Sequence, residues 1–147
     1  MFTGLLMGCS HDDPRLQGTW KSNREETVAA IFRQDLGWAK ATPERRKQFG
    51  GIFGNMTVTY SNQVATMVTP ALTIGTTALP ASTNTMHYKV VEKGENHVVI
   101  QPVAEPGDTM ALEDKRRIEF VDGGSGYWLD LGDLMPGQKE KFDRVLP

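Results

Sequence analysis

One cysteine in 147 residues rules out an internal disulfide and any zinc cluster built on thiolates. The three histidines, His11, His87 and His97, are scattered. No apolar run approaches the ~18 residues of a spanning helix. Neither sign of charge dominates: 16 basic residues face 18 acidic ones, for a net charge of −2. No overall field therefore draws the chain to nucleic acid, which is not expected as a partner. The basic clusters Arg45-Arg46-Lys47 and Lys115-Arg116-Arg117 lie among acidic residues and read as solvated faces. H-E-x-x-H, C-x-x-C and P-loop patterns are absent. Gly123-Gly124-Ser125-Gly126 lacks the spacing of a nucleophile elbow and reads as a turn. No catalytic residue, metal or cofactor is expected from these patterns.

The lone cysteine is Cys9, directly after Leu5-Leu6-Met7-Gly8. Leu6-Met7-Gly8-Cys9 resembles the lipobox of bacterial lipoprotein precursors. The resemblance implies cleavage before Cys9 and lipid on its thiol and new amino group. Residues 1–8 would then be the remnant of a signal peptide. Residues 9–15, polar and without periodicity, would be a lipidated tether. Ser10 at the second position implies export to the outer membrane, facing the periplasm. The membrane, reached through this anchor, is the expected partner surface; several acyl chains hold stably at about 0.8 kcal/mol per buried CH₂.

Residues 16–147 read as one domain. Leu16 to Ser22 forms a first strand. Ser22 or Asn23 caps a helix with Glu25 and Glu26 in its first turn and Val28, Ile31, Phe32 and Leu36 along one stripe. Thr42-Pro43-Glu44 opens a second helix that runs to about Phe49. Alternating segments follow as three hairpins: 56–60 with 63–68, 85–91 with 97–101, and 116–121 with 127–131. His87 and His97 are expected to be rough neighbours around the second. Thr69 to Asn84, uncharged and rich in Thr, Ala and Pro, reads as a long hairpin arm or a flap and is expected to hold some strand near 71–76. Gln138 to Val145 is expected to pair with the first strand or pack as a helix, Phe142 and Val145 inward. The fold class is mainly β: an antiparallel meander barrel or half-barrel of about seven or eight strands, with a helical insertion after the first.

Gly18-x-Trp20 on the first strand of such a meander resembles the lipocalin and wider calycin pattern. There the Trp closes the barrel floor beneath an Arg from near the barrel's end. Arg144 is the implied partner and Arg117 the second choice; such stacking contributes roughly 0.5–2 kcal/mol. The layout Gly18-x-Trp20-x-Ser22, an acidic helical stretch with Thr27, then Phe53-Gly54-x-x-Thr57-Val58-Thr59-Tyr60, also resembles a group of small, uncharacterised bacterial lipoproteins. The function this implies is of binding type: an apolar small ligand or an envelope protein, held by a lipid-anchored protein. A structural or assembly lipoprotein is the alternative, and a hydrolase site assembled from distant residues, for instance Asn23, Arg24 and Glu25 with His87, is a further one. Possible binding residues are Asn23, Arg24, Trp38 and Trp128. Trp128 faces away from Tyr127 and Leu129 by alternation. Small barrels are often filled by their own side chains, so a ligand cavity is an open question.

Overall fold

A computed structural model describes residues 12–34, 37, 40–109, 114–132 and 135–146. Cys9, His11, Leu36 and Trp38 lie outside the described residues. The chain is mainly β. Strand β1 (Gly18–Ser22) is followed by helices α1 (Arg24–Gln34) and α2 (Pro43–Gly50). Then come β2 (Thr57–Ser61), β3 (Val64–Thr69), β4 (Leu72–Ile74), β5 (Thr77–Leu79), β6 (Ser82–Lys93), β7 (His97–Val103), β8 (Arg116–Val121), β9 (Gly126–Asp130) and β10 (Lys139–Arg144).

Eight strands pair antiparallel in the closed order β1-β10-β9-β8-β7-β6-β3-β2, while β4 and β5 form a separate two-stranded arm. The closing seam is the pairing of Trp20 with Arg144 and Ser22 with Phe142. The C-terminal segment is thus a strand, and an open edge is avoided. Phe142 is buried as expected, but Val145 is 46% exposed because it follows the last paired residue. The sheet is not evenly barrel-shaped. β6 spans twelve residues against five in β1, and Val91 bulges out of register with β7.

Local chemistry accounts for the elements. Asn62 and Gln63 both take positive φ in the two-residue turn between β2 and β3, the backbone of a tight type I′ hairpin. Asn23 Oδ1 accepts from the Glu26 amide at the start of α1. Thr42 Oγ1 accepts from the Arg45 amide at the start of α2, with Pro43 in its first turn. Both helices fall between β1 and β2, which still pair directly (Gly18 with Tyr60, Trp20 with Val58).

Alternation fills the interior. Trp20, Val58, Tyr60, Met67, Tyr88, Val98, Ile100, Ile118, Tyr127 and Phe142 belong to one buried cluster. The Tyr60 and Tyr127 hydroxyls hydrogen-bond at 3.0 Å. Burial pushes the Tyr60 phenol up to about 12 against the opposing Tyr127 hydrogen bond, and burial together with Tyr60 pushes Tyr127 well above the ordinary range. A second cluster, Ile31, Phe49 and Phe53 with Val28 and Phe32, joins the two helices.

The segment before β1 is part of the fold. Leu16 is fully buried and Asp13 nearly so. Arg15 pairs with Asp13 at 2.8 Å, donates to the Gly94 and Glu95 carbonyls, and lies 5.1 Å over the Phe120 ring. Tyr88 donates its hydroxyl to Asp12 at 2.9 Å. Residues 12–15, expected as part of a free tether, are therefore tied across one end of the barrel. Polar composition suggested a tether because the Tyr88 partner of Asp12 and the Gly94 and Glu95 partners of Arg15 lie some eighty residues away in sequence.

Candidate functional site

The residues of the Gly-x-Trp-x-Ser motif build the floor and wall of the barrel. Trp20 is fully buried and donates Nε1–H to the Leu16 carbonyl at 2.9 Å. Arg144 Cζ lies 4.2 Å from the Trp20 ring centroid. Its two terminal nitrogens donate to the Gln17 and Arg15 carbonyls at 2.7 and 2.8 Å. Gly18, at φ +113°, leaves that guanidinium room: a Cβ there would sit 2.9 Å from Nη1. Arg117 lies elsewhere, on β8 beside Glu119 and Glu92.

Ser22 sits at the opposite end of β1. Its hydroxyl donates to Glu140 Oε2 at 2.5 Å and accepts from the Gly54 amide at 2.9 Å. Glu140 is an inward carboxyl that sequence reading missed. It hides in Lys-Glu-Lys-Phe-Asp-Arg, where alternation with Phe142 was the available signal. Burial raises its pKa above the ordinary carboxylate range, and the Ser22 hydrogen bond opposes that rise.

Asn23 is consumed by structure: it caps α1 and donates to Asp143 and Glu26. Trp128 lies on the outer face opposite Glu119 and Lys141 and is half-buried. Lys141 Nζ sits 5.9 Å from its ring and is held by Glu26, Asp122 and Asp143 at 2.8–3.3 Å. Thr27 Oγ1 accepts the Lys141 amide and fixes α1 against β10. The surroundings of Trp128 are therefore an ionic cluster rather than an apolar patch. His87 pairs with Asp108 at 2.6 Å near one end of the barrel, while Asn23, Arg24 and Glu25 follow β1 at the other. The structure does not bring this quartet together. Nor are His87 and His97 neighbours: β6 runs on to Lys93, His87 pairs with Val103, and His97 stacks on Gly94 and bonds Glu92. Among the described residues no group of three metal-ligating side chains forms.

Asn23 borders a shallow pocket of about 310 Å³ with Lys21 and Asp143, and Arg24 lines a larger concave surface. A cleft of about 860 Å³ lies between α1, α2 and the β4–β5 arm. Val28 and Ala29 supply one wall, Gly50 and Gly51 the floor, and Leu72, Ile74 and Gly75 the far wall. Arg24, Arg46 and Lys47 carry positive charge along it, and Glu25 is the acid that lines it with them. Arg24 is positioned by donating Nε–H to the Phe53 carbonyl at 2.8 Å and Nη2–H to Asn55 Oδ1 at 3.1 Å. Gly54 makes this approach possible: at φ +84°, its Cβ would stand 2.7 Å from the Arg24 Cβ. The Phe53-Gly54-Asn55 motif thus has a physical account. Phe53 packs between the helices, Gly54 admits Arg24, and Asn55 fixes its guanidinium. The arm reaches α2 at its tip, where a Cβ on Gly75 would lie 3.3 Å from Gln48 Nε2. Sequence reading missed this wall because Leu72 to Leu79 gave no distinctive residue.

Comparison with known proteins gives no matching family model, no matching curated protein and no matching solved structure.

Proposed function

We propose that the protein is a lipid-anchored bacterial envelope protein of binding type, with a lipocalin-like domain that takes its ligand outside the barrel. The observation that carries the binding reading is the cleft between the helices and the β4–β5 arm. Its volume falls within the roughly 300–1,000 Å³ typical of small-molecule sites. The barrel interior is occupied by fifteen buried side chains of the core, which argues against a carrier that encloses its cargo. The up-and-down strand order and the Arg144–Trp20 stack support the lipocalin-like reading of the domain.

The anchoring reading rests on Leu6-Met7-Gly8-Cys9 and places the protein at the outer membrane, facing the periplasm. It also sets an orientation. Asp12 is tied to the barrel floor, and three extended residues span at most about 10 Å. A lipidated Cys9 therefore holds the floor close to the bilayer. The cleft lies toward the opposite end of the barrel.

Fractionation of a full-length chain with its native upstream codons tests the anchor. The wild type should sediment with membranes and Cys9→Ser should remain soluble; membrane retention of the variant refutes lipidation at Cys9. For the binding site, a photo-crosslinking side chain at Gln48 or Thr73 should trap a small molecule or an envelope protein in cells. A small adduct marks a ligand binder and a protein adduct an assembly role. Absence of any adduct at both positions counts against the cleft.

A further inference from the structure

Resting on the cleft as the binding site, the observations go further and point to the chemistry of its occupant. The cleft joins two unlike surfaces. One is apolar: Val28 on α1 with Leu72 and Ile74 on the arm. The other is cationic, formed by Arg24, Arg46 and Lys47. Arg24 bonds only neutral acceptors, the Phe53 carbonyl and the Asn55 amide oxygen, and its Nη1 makes no hydrogen bond to the described residues. Lys47 is exposed and forms no ion pair with a described residue. Arg24 and Lys47, with Arg46 beside them, face one acid, Glu25, along the cleft. A cation without a carboxylate partner beside a partly desolvated apolar wall favours an incoming anion. The apolar wall favours a ligand whose anion carries a hydrocarbon tail.

We infer that the cleft takes a single-chain anionic amphiphile of the fatty-acid class. Its carboxylate sits between Arg24 and Lys47, and its tail lies against Val28, Leu72 and Ile74. Glu25 offsets one of the three positive charges along the cleft, and the two that remain accommodate a carboxylate. Arg24 suits a carboxylate because a guanidinium offers paired donors, and its orientation is already fixed. The β4–β5 arm closes over the tail from the side. Its three-residue strands pair only with each other, so the arm can adjust to chain length without disturbing the barrel.

The test is calorimetric titration of the full chain with octanoate, octanol and octyltrimethylammonium, each below its aggregation limit. Octanoate should bind saturably at one site, octanol more weakly, and the cationic analogue not measurably. Lys47→Glu, an exposed position, should keep the wild-type circular dichroism and weaken octanoate by about five- to tenfold. Ile74→Asp should weaken octanoate and octanol alike, because it strikes the tail wall. Equal binding of all three amphiphiles, or an octanoate affinity unchanged by Lys47→Glu, overturns the assignment of a fatty acid while leaving the cleft as a site for something else. No octanoate binding also overturns it. Crosslinked adducts at Gln48 or Thr73, tested separately, decide whether the cleft itself is used.

Discussion

Gly18, Trp20 and Arg144 form a unit in which each residue is needed for a different reason. Trp20 supplies buried area, Arg144 caps its face and bonds two carbonyls, and Gly18 makes space for the guanidinium. Gly18→Ala pays twice, for a side chain at φ +113° and for collision with Arg144 Nη1. We expect it to lose about 1–3 kcal/mol in urea unfolding. Gly137→Ala is the control, since Gly137 also has positive φ (78°) but an added Cβ meets nothing within 4 Å. It should cost less, and equal losses would mean that the Arg144 contact contributes nothing. Glu140 is the second residue of interest. Its native pKa is raised by burial, against the Ser22 hydrogen bond. At pH below the ordinary carboxylate range it is neutral in both folded and unfolded chains and costs nothing. As pH rises past the ordinary carboxylate value the unfolded chain ionises first and stability falls, levelling off above the raised native value. Glu140→Gln should therefore match wild type near pH 4 and exceed it in melting temperature at pH 8. Asp13 and Glu119, held low by Arg15 and Lys139, destabilise both proteins equally in acid, so the difference between the two melting curves isolates Glu140.

At the scale of elements, the β4–β5 arm and the eight-stranded sheet separate cleanly. Thr69 pairs with Ser82 at the end of the β3–β6 ladder, so the arm is an excursion from a hairpin rather than part of the main sheet. Replacing residues 71–80 by Asn-Gly closes that hairpin directly. The variant should melt within a few degrees of wild type, as expected for removal of a segment outside the core, while losing octanoate binding. A large drop in melting temperature would show that the arm supports the barrel. The helices, the hairpin at Asn62–Gln63 and the first β-alternations were legible because their signals are local: Thr42-Pro43, an Asn in the turn, apolar residues every second position. The arm was legible as a hairpin arm or flap holding some strand, but not in its bounds. No charged residue occurs between Lys47 and Lys89, and threonines fill the outward positions of β2, β3 and β6, such as Thr59, Thr66 and Thr85 in one cross-strand row. With polar and apolar residues so little contrasted, alternation marks strands but not where one ends.

Across the whole molecule, the proposed reading makes the barrel a scaffold and places the binding surface at its helical end. The residues that carried the family resemblance, Gly18, Trp20, Ser22, Thr27 and Phe53-Gly54, have structural work: floor, wall, helix docking and the placement of Arg24. Such motifs reveal architecture more readily than chemistry. Of the binding candidates, Arg24 was legible from its position after the Trp strand, but its partners Val28, Lys47 and Leu72 were not, since they meet only when two helices and the arm converge. Trp128 was correctly turned outward, yet alternation could not reveal that Lys141 and three carboxylates share its face. Fixed floor, filled interior and open cleft together make one claim: ligand binding occurs outside the barrel. Amide chemical-shift mapping of the full chain during an octanoate titration tests it most directly. The account predicts saturating shifts at residues 24–29, 46–51 and 72–75, with the amides of Tyr60, Tyr88 and Tyr127 unmoved. Shifts concentrated on those three tyrosines and their strands, with the cleft silent, would contradict it.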